Sequence, residues 1–226
     1  MKRIRLLVLA CLAVLVVGSV AATSASAKPW YHYLGPRQTI TIHISRGTLS
    51  GVGTPVVECA NGGKGTGEVE ELTRFSNVVV KFTGCKVEDP VNKEKCGIRS
   101  SSPKGEKEEI ITNTLDGLLG RSDPALLDPA ILLYSLRENK LTTLEAAEGT
   151  ACPNVPETAV KGTVIGLILS APLNALLLDL HVIFGTIKAI LLLNLVLEKQ
   201  TLSAYGVSAS LKALALILFP KDFVIC

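Results

Sequence analysis

The sequence predicts an all-β protein: an antiparallel sandwich or barrel with one short helix, stapled by disulfides and preceded by a cleaved signal peptide. Three observations predict this class. Apolar and polar residues alternate with a period of two in several segments, and glycine and proline separate these segments. The cysteines are spread along a chain that opens with an export signal, which is typical of disulfide-bonded extracellular domains.

The first 27 residues have the composition of a signal peptide. Basic residues open the chain, an apolar run follows from Leu6 to about Ala22, and Ala25-Ser26-Ala27 fits the small-residue rule for cleavage. We therefore predict that residues 1–27 are removed and that the protein is secreted or associated with the cell envelope. An uncleaved membrane anchor is the alternative, because the length of the apolar run does not exclude one.

The mature chain is predicted to be electrically neutral. The whole sequence has 23 basic and 20 acidic residues, and the leader holds three of the basic ones, which leaves 20 of each sign. A neutral chain without clusters of Lys and Arg has no electrostatic means of binding nucleic acid. Residues 28–226 are predicted to form a single β-domain, in which a polar, cysteine-bearing part (28–160) precedes an apolar, hairpin-rich part (161–226).

Five cysteines follow the leader: Cys59, Cys85, Cys96, Cys152 and Cys226. No two of them form a Cys-x-x-Cys motif, so a thioredoxin-like site or a zinc knuckle is not indicated, and disulfides are the expected state outside the cytosol. We expect Cys85 to pair with Cys96 across a short charged loop, whose closure stabilises the fold by about 3 kcal/mol. By elimination Cys59 pairs with Cys152, and Cys226 is a free or intermolecular thiol.

Two segments of the first half alternate strictly. Thr39–Ser45 places three isoleucines on one face and polar residues on the other, and Asn77–Cys85 places two valines and a phenylalanine on one face. Strict alternation indicates a half-buried strand. Between these segments, residues 60–68 (ANGGKGTGE) are rich in glycine and are predicted to be a turn.

The Leu-rich part is predicted to contain a long β-hairpin over residues 176–198. If this segment were a helix, its polar residues would lie on all sides. In two strands they lie on one face of each strand, because the polar positions are odd-numbered before Gly185-Thr186 and even-numbered after it. Before this turn the even-numbered residues are apolar, while Asp179 and His181 are odd-numbered. Two alternating strands around a glycine turn are typical of a hairpin.

Further strands are predicted at 131–136, 142–152, 162–169 and 211–219. The short helix is predicted at Ser122-Asp123-Pro124, because a capping residue there precedes a proline at the first helical position. Asp128-Pro129 limits the length of this helix.

Candidate chemistry is sparse in this sequence. Residues 62–67 (GGKGTG) are similar to a phosphate-binding loop, but Glu58 stands where that motif needs its first glycine, and a plain turn is the preferred interpretation. The sequence has no Gly-x-Ser-x-Gly and no His-Glu-x-x-His motif. We therefore expect no catalytic residues, no metal site and no cofactor.

Asp179 and His181 are the one weak candidate for chemistry. They lie two positions apart on one predicted strand face, where a carboxylate could orient an imidazole for acid–base work or help to bind a metal. A solvent-facing polar pair on an apolar hairpin is the preferred interpretation.

Cysteines and turn motifs follow one another in a recognisable order between residues 47 and 170: GTLSG (47–51), Cys59, GTGEVEELT (65–73), VVVKFTGC (78–85), Cys96, EIITNTLDGLLG (109–120), Cys152 and VKGTVIGLI (160–168). In this order they resemble a group of uncharacterised exported actinobacterial proteins. The shared motifs are turns and cysteines, so the resemblance implies kinship and a common scaffold without implying an activity. Cys226 and the Leu-rich last third depart from the pattern.

These observations together predict a non-enzymatic exported β-domain with a structural or binding role at the cell envelope or outside the cell. Its ligand and partner are unknown. One alternative is a secreted hydrolase that uses Asp179 and His181. The other is a self-associating or membrane-associated protein that uses the apolar 176–198 hairpin, with Cys226 linking two chains.

Overall fold

The computed structural model describes residues 37–70, 74–121, 129–149, 152–169, 176–184, 190–193, 196–199 and 201–224. The regular elements in this part are all strands, in chain order β1 Gln38–Ile44, β2 Gly47–Gly51, β3 Val57–Cys59, β4 Gly63–Val69, β5 Arg74–Thr83, β6 Cys85–Glu88, β7 Lys95–Ser102, β8 Glu109–Ile111, β9 Leu115–Arg121, β10 Pro129–Ser135, β11 Lys140–Ala146, β12 Thr158–Lys161, β13 Thr163–Leu169, β14 Leu176–Phe184, β15 Ile190–Leu193, β16 Val196–Lys199, β17 Ser203–Ala204 and β18 Val207–Val224. Within these residues no helix has the length and apolar character needed to span a bilayer. The predicted all-β class is confirmed.

Eight strands close into an antiparallel barrel, which decides between the predicted sandwich and the predicted barrel. They pair in the order β1, β4, β5, β9, β10, β13, β14 and β18. The last strand then returns to the first, with Leu218 of β18 opposite Thr41 of β1. Neighbours in space thus follow one another along the chain in an up-and-down arrangement, and closure leaves no free edge among these eight described strands. We call this set of strands the first ring.

Seven of the remaining strands extend the barrel into a second ring, whereas β8 pairs with β5, and β15 pairs with β16 and with β9. The second ring consists of β2, β3, β6, β7, β11, β12 and β17 in that order, and the first part of β18 closes it. Several of these strands continue strands of the first ring: Gly84 alone separates β5 from β6, and Gly162 alone separates β12 from β13. These glycines have φ values of 65° and 108°, which a residue without Cβ adopts at no steric cost. The described strands of the two rings therefore form one long barrel, and the chain bends at these glycines, where the two rings meet.

The alternation predicted for the first half is confirmed. Ile40 and Ile42 of β1 are buried and Thr39, Thr41 and His43 are exposed, while Val78 and Val80 are buried in β5, two strands away in the first ring. Burying a side chain of this size contributes roughly 1.5–3 kcal/mol. A register slip of one residue would expose the whole row, so this row fixes the pairing of β1 and β5 with their neighbours.

The prediction of a turn over residues 60–68 is wrong, because β4 runs through most of this segment. The inward positions of β4 alternate with its exposed ones, and three of them are glycines. A Cβ at Gly65 would lie 2.6 Å from the carbonyl oxygen of Val79, and a Cβ at Gly67 would lie 2.8 Å from Cγ2 of Val78. Glycine is therefore needed here for the close approach of β5, and it serves the strand rather than a turn.

The predicted 176–198 hairpin is wrong in its pairing. β14 pairs with β13 and β18, whereas β15 pairs with β16. The predicted parity is confirmed at the described side chains, since Val182 and Phe184 are buried on the even face. Both edges of β14 are paired, one with β13 and the other with β18, so no edge is left for β15.

The predicted pairing of the cysteines is wrong, although the four predicted cysteines are the ones that pair. The structure joins Cys59 to Cys85 and Cys96 to Cys152. Cys59 lies directly opposite Cys85 in the β3–β6 pairing, whereas Cys96 lies opposite Val87 and is thus displaced along β6 from Cys85. Strand register, rather than loop length, therefore selects the partners.

Four further predicted strands are present as β10, β11, β13 and β18. β11 ends at Ala146, well before the predicted end, and β18 extends beyond both of its predicted ends. The predicted signal peptide (1–27), the predicted short helix (122–124) and Cys226 lie outside the described residues.

A buried aspartate ties two loops together at the end of the second ring. The Asp89 side chain is fully buried, and its Oδ1 accepts hydrogen bonds from the backbone N–H groups of Val91 and Asn92 at 2.8 Å and 3.0 Å and from Nδ2 of Asn154 at 3.2 Å. Burial alone would raise the pKa of Asp89, but these donors, led by the Asn92 amide, outweigh it and lower the pKa below its ordinary value. The ionised carboxylate is therefore part of the fold.

We expect Asp89→Ala to lower the melting temperature at pH 7 by about 5 °C, because three donors lose their acceptor. Since the pKa is lower in the folded state, this stabilisation is present above the unfolded pKa of about 3.9 and is lost as the pH falls further. Thermal unfolding of both proteins from pH 7 to about pH 2.5 checks this. The gap in melting temperature should close in acid, and the exposed neighbour variant Glu88→Ala should show no gap at any pH.

Candidate functional site

A partly open apolar cavity lies within the second ring. Residues from β2, β3, β11 and β12 form its wall together with the segment before β17, and prominent among them are Leu49, Val57, Leu141, Leu144, Val160 and Leu202. Val57, Leu144 and Val160 are buried positions of their strands, Leu141 and Leu202 are buried as well, and Leu49 is half-buried. The cavity is thus a product of barrel closure and lies between residues far apart in sequence.

The wall is apolar even where it contains threonines. The Thr112 hydroxyl accepts a hydrogen bond from the backbone N–H of Val80 at 3.0 Å, and the Thr142 hydroxyl donates to the carbonyl of Ile111 at 2.9 Å. Both hydroxyls are therefore hydrogen-bonded to the backbone, which leaves the methyl groups of the two threonines to line the cavity. A water molecule needs two to four polar partners, which this wall does not supply.

The size of the cavity limits what it can hold. Its volume is about 80 Å³, about half of the roughly 150 Å³ that accommodates benzene in an engineered apolar cavity. It is also smaller than the roughly 300–1,000 Å³ of sites that enclose a whole drug-sized ligand. The space fits a short alkyl group or another apolar group of a few heavy atoms.

Phe82 lies where the cavity meets the first ring. Its side chain is half-buried and lines the cavity, and β5 ends one residue later. Gly63 makes room for the phenyl group, since a Cβ there would lie 3.1 Å from Cδ1 of Phe82 and 2.9 Å from the carbonyl oxygen of Lys81. Substitution of Gly63 would therefore press on the phenyl ring, so the glycine-rich segment helps to set the shape of the cavity.

Tyr205 occupies the tight turn between β17 and β18. Tyr205 and Gly206 have φ values of 53° and 77°, the pattern of a two-residue hairpin turn with both central residues in the left-handed region. The Tyr205 hydroxyl is buried without a hydrogen-bond partner among the described residues, and burial raises its pKa to about 12. The phenol therefore stays protonated at neutral pH and contributes to packing against the core.

Asp179 and His181 both lie in β14. His181 is opposite Leu169 of β13 and Leu216 of β18, and Asp179 is opposite Leu218. The described pairing thus surrounds the two residues with leucines and brings no hydroxyl or thiol nucleophile to the positions directly across from them.

The acidic residues near β4 are engaged in ion pairs. Glu68 bonds to Arg37 and accepts a hydrogen bond from Asn77 Nδ2 at 2.9 Å, and Glu70 accepts one from the Ser76 hydroxyl at 2.8 Å. The Arg37 and Asn77 donors lower the pKa of Glu68. In the part of the chain that the structure describes, no group of three or more His, Cys, Asp or Glu is placed to hold a metal ion.

No family model, no curated protein and no solved structure matches this chain. The chemistry of the cavity therefore carries the functional inference. Sequence reasoning did not find the cavity, because each wall residue reads as an ordinary inward residue of its own strand. The cavity depends on how the side chains of strands far apart in sequence fit together, which no local sequence pattern shows.

Proposed function

We propose that this chain is an exported, disulfide-stapled barrel that binds a small apolar molecule, or the apolar end of a larger one, in the cavity of its second ring. The observation that carries this proposal is the preformed apolar space lined by Leu49, Val57, Leu144 and Val160. Eight-stranded barrels are wide enough to hold side chains or one small ligand, and this barrel fills its first ring with side chains. The role is binding rather than catalysis.

The energetics of the cavity favour a bound occupant. Unfilled apolar space destabilises a core by about 24 cal/mol per Å³, so a cavity of about 80 Å³ costs about 2 kcal/mol. A few added methylene groups would recover this energy, and the wall contains three valines, Val57, Val160 and Val164, where they could be placed. An apolar ligand recovers the same energy and stabilises the folded state in proportion to its concentration.

Two further features support the rest of the proposal. The two disulfides are compatible with an oxidising compartment, and the resemblance to exported actinobacterial proteins, which stays a prediction, points the same way. The alternative of a hydrolase has no support from the leucine neighbours of His181. Self-association is compatible with Leu169 and Leu214, which are 41% and 42% exposed on the barrel exterior.

Filling the cavity should stabilise the protein and abolish binding. The double variant Val160→Ile/Val164→Ile adds two methylene groups to the wall, and at about 0.8 kcal/mol each we expect the melting temperature to rise by about 3–6 °C. In methyl-resolved NMR, cyclopropane should shift the Leu144 and Leu202 methyl signals of the wild type and should leave those of the variant unchanged.

The matched control is Val69→Ile/Val78→Ile, which adds the same two groups to the first ring. Val69 and Val78 are 1% and 2% exposed and do not line the cavity. Overpacking there should lower the melting temperature while cyclopropane binding persists. If both double variants were destabilised alike and cyclopropane moved no wall methyl of the wild type, the proposed function would be wrong.

A further inference from the structure

A charged cleft of about 350 Å³ lies on the exterior of the second ring. It lies beside the Cys59–Cys85 disulfide, because Ala60 and Gly84, the residues that follow Cys59 and precede Cys85, both line it. Its volume falls in the roughly 300–1,000 Å³ range of small-molecule sites. Unlike the interior cavity, it is lined mainly by charged side chains.

The cations of the cleft are more exposed than its carboxylates. The side chains of Arg46, Lys86 and Lys95 are 67%, 50% and 67% exposed, whereas those of Glu58 and Glu108 are 28% and 31% exposed. The carboxylates thus lie deeper and the cations stand at the rim. With three cations and two carboxylates, the cleft has an excess of one positive charge.

Two of these cations are held only loosely. Lys86 Nζ lies 3.8 Å from Glu108 Oε1, and Lys95 Nζ lies 3.9 Å from Glu58 Oε2, both beyond direct hydrogen-bonding distance. Glu58 is also the partner of Arg46 and is therefore shared by two cations. Exposed ion pairs of this kind contribute little stability, so an incoming anion can redirect the lysines at small cost.

The deep side of the cleft is fixed by the backbone. The carbonyl of Glu108 accepts a hydrogen bond from the Cys85 N–H at 3.0 Å, and Glu108 has a φ of 61°. The Glu108 side chain crosses Gly97, where a Cβ would lie 2.9 Å from its Cγ. Gly84 likewise makes room for Asn61, since a Cβ there would lie 2.7 Å from Asn61 Nδ2. The cleft therefore keeps its shape while the rim cations are free to reorient.

We propose that this cleft binds a small oxyanion, a phosphate or carboxylate group, between Lys86, Lys95 and Arg46. The guanidinium supplies a fork that matches two anion oxygens, the ammonium groups supply point charges, and Asn61 adds an amide donor at the same wall. The site is separate from the apolar cavity, because no described residue lines both spaces. Its occupancy is therefore independent of the proposed apolar ligand.

Titration of the full mature protein with inorganic phosphate, and separately with glucuronate, tests this site. Amide NMR at constant ionic strength, with sodium chloride as the blank, should show saturable shifts of Asn61, Lys86 and Lys95. The anion that saturates at lower concentration identifies the source of the oxyanion group. Lys86→Gln/Lys95→Gln should weaken binding of that anion about tenfold, as expected when two charge-assisted contacts are lost.

Two variants sharpen the result. Lys64→Gln removes one positive charge from an exposed position of β4 outside the cleft and should change the affinity less than twofold. Glu58→Gln removes the carboxylate that Arg46 and Lys95 share, and it should strengthen binding several-fold. Linear shifts that match the chloride blank, an equal loss in Lys64→Gln, or weaker binding in Glu58→Gln would each overturn the proposal. The cavity-filling double variant should bind the oxyanion like the wild type.

Discussion

Replacing Cys96 and Cys152 together by serine should lower the melting temperature by about 12 °C. The cross-link joins residues 56 positions apart, and closing a loop of that length stabilises by about 4 kcal/mol in the chain-entropy model. For a domain of this size each kcal/mol corresponds to about 2–4 °C. The effect should be among the largest for any pair of substitutions, because Cys152 also anchors the loop that packs Val155 and Asn154 against the end of the second ring.

The Cys59–Cys85 pair should behave similarly with a smaller loss of about 10 °C, since it closes a loop of 26 positions, worth about 3.5 kcal/mol. Differential scanning calorimetry of the two double variants measures both losses.

Thiol titration under denaturing conditions, without reductant, distinguishes the pairings. Cys59→Ser/Cys85→Ser should leave no newly titratable thiol, whereas Cys85→Ser/Cys96→Ser should leave Cys59 and Cys152 without their partners. The reverse result would contradict the register that pairs β3 with β6.

Replacing Gly62 by alanine should destabilise the barrel by at least about 3 kcal/mol. Gly62 has a φ of 71°, and a Cβ there would lie 2.2 Å from the carbonyl oxygen of Ile44. That oxygen belongs to the backbone of β1, so it moves only if the strand moves. Chemical denaturation should show a much lower midpoint, and the yield of folded protein should fall with it.

Gly53 provides a matched control for this substitution. It has the same φ of 71°, but a Cβ added there would have no heavy atom within 4 Å. Gly53→Ala should therefore cost only the backbone strain of a left-handed residue, about 1 kcal/mol. Equal losses for the two variants would mean that backbone strain alone matters and that the close contact between Gly62 and β1 does not.

The sequence predicts strands best where one face meets solvent. In β1 the threonines and His43 face outward between buried isoleucines, so the period of two is visible in the residue types. In β10 and β13 both faces are apolar, because Ala130, Leu132 and Ile165 form a second buried cluster opposite the main core. Alternation is hidden in such strands, and their bounds and partners cannot be derived from local pattern alone.

The wrong predictions share one physical cause, which is that they depend on contacts between distant segments. The glycines of residues 60–68 read as a turn, yet Gly65 and Gly67 are required by the approach of β5. Loop length favoured Cys85 with Cys96, but the β3–β6 register places Cys59 opposite Cys85. The cavity is hidden for the same reason, since its volume is a property of facing strands and of no single segment.

A crystal structure of the mature protein under xenon pressure tests the central claim most directly. Xenon is apolar and small enough for a cavity of about 80 Å³, and dry apolar cavities take it up. We expect a xenon peak within the second ring beside Leu144, Val160 and Leu202. If the second ring takes up no xenon, and Phe82 is turned into the space or ordered water fills it, the proposed apolar binding site is wrong.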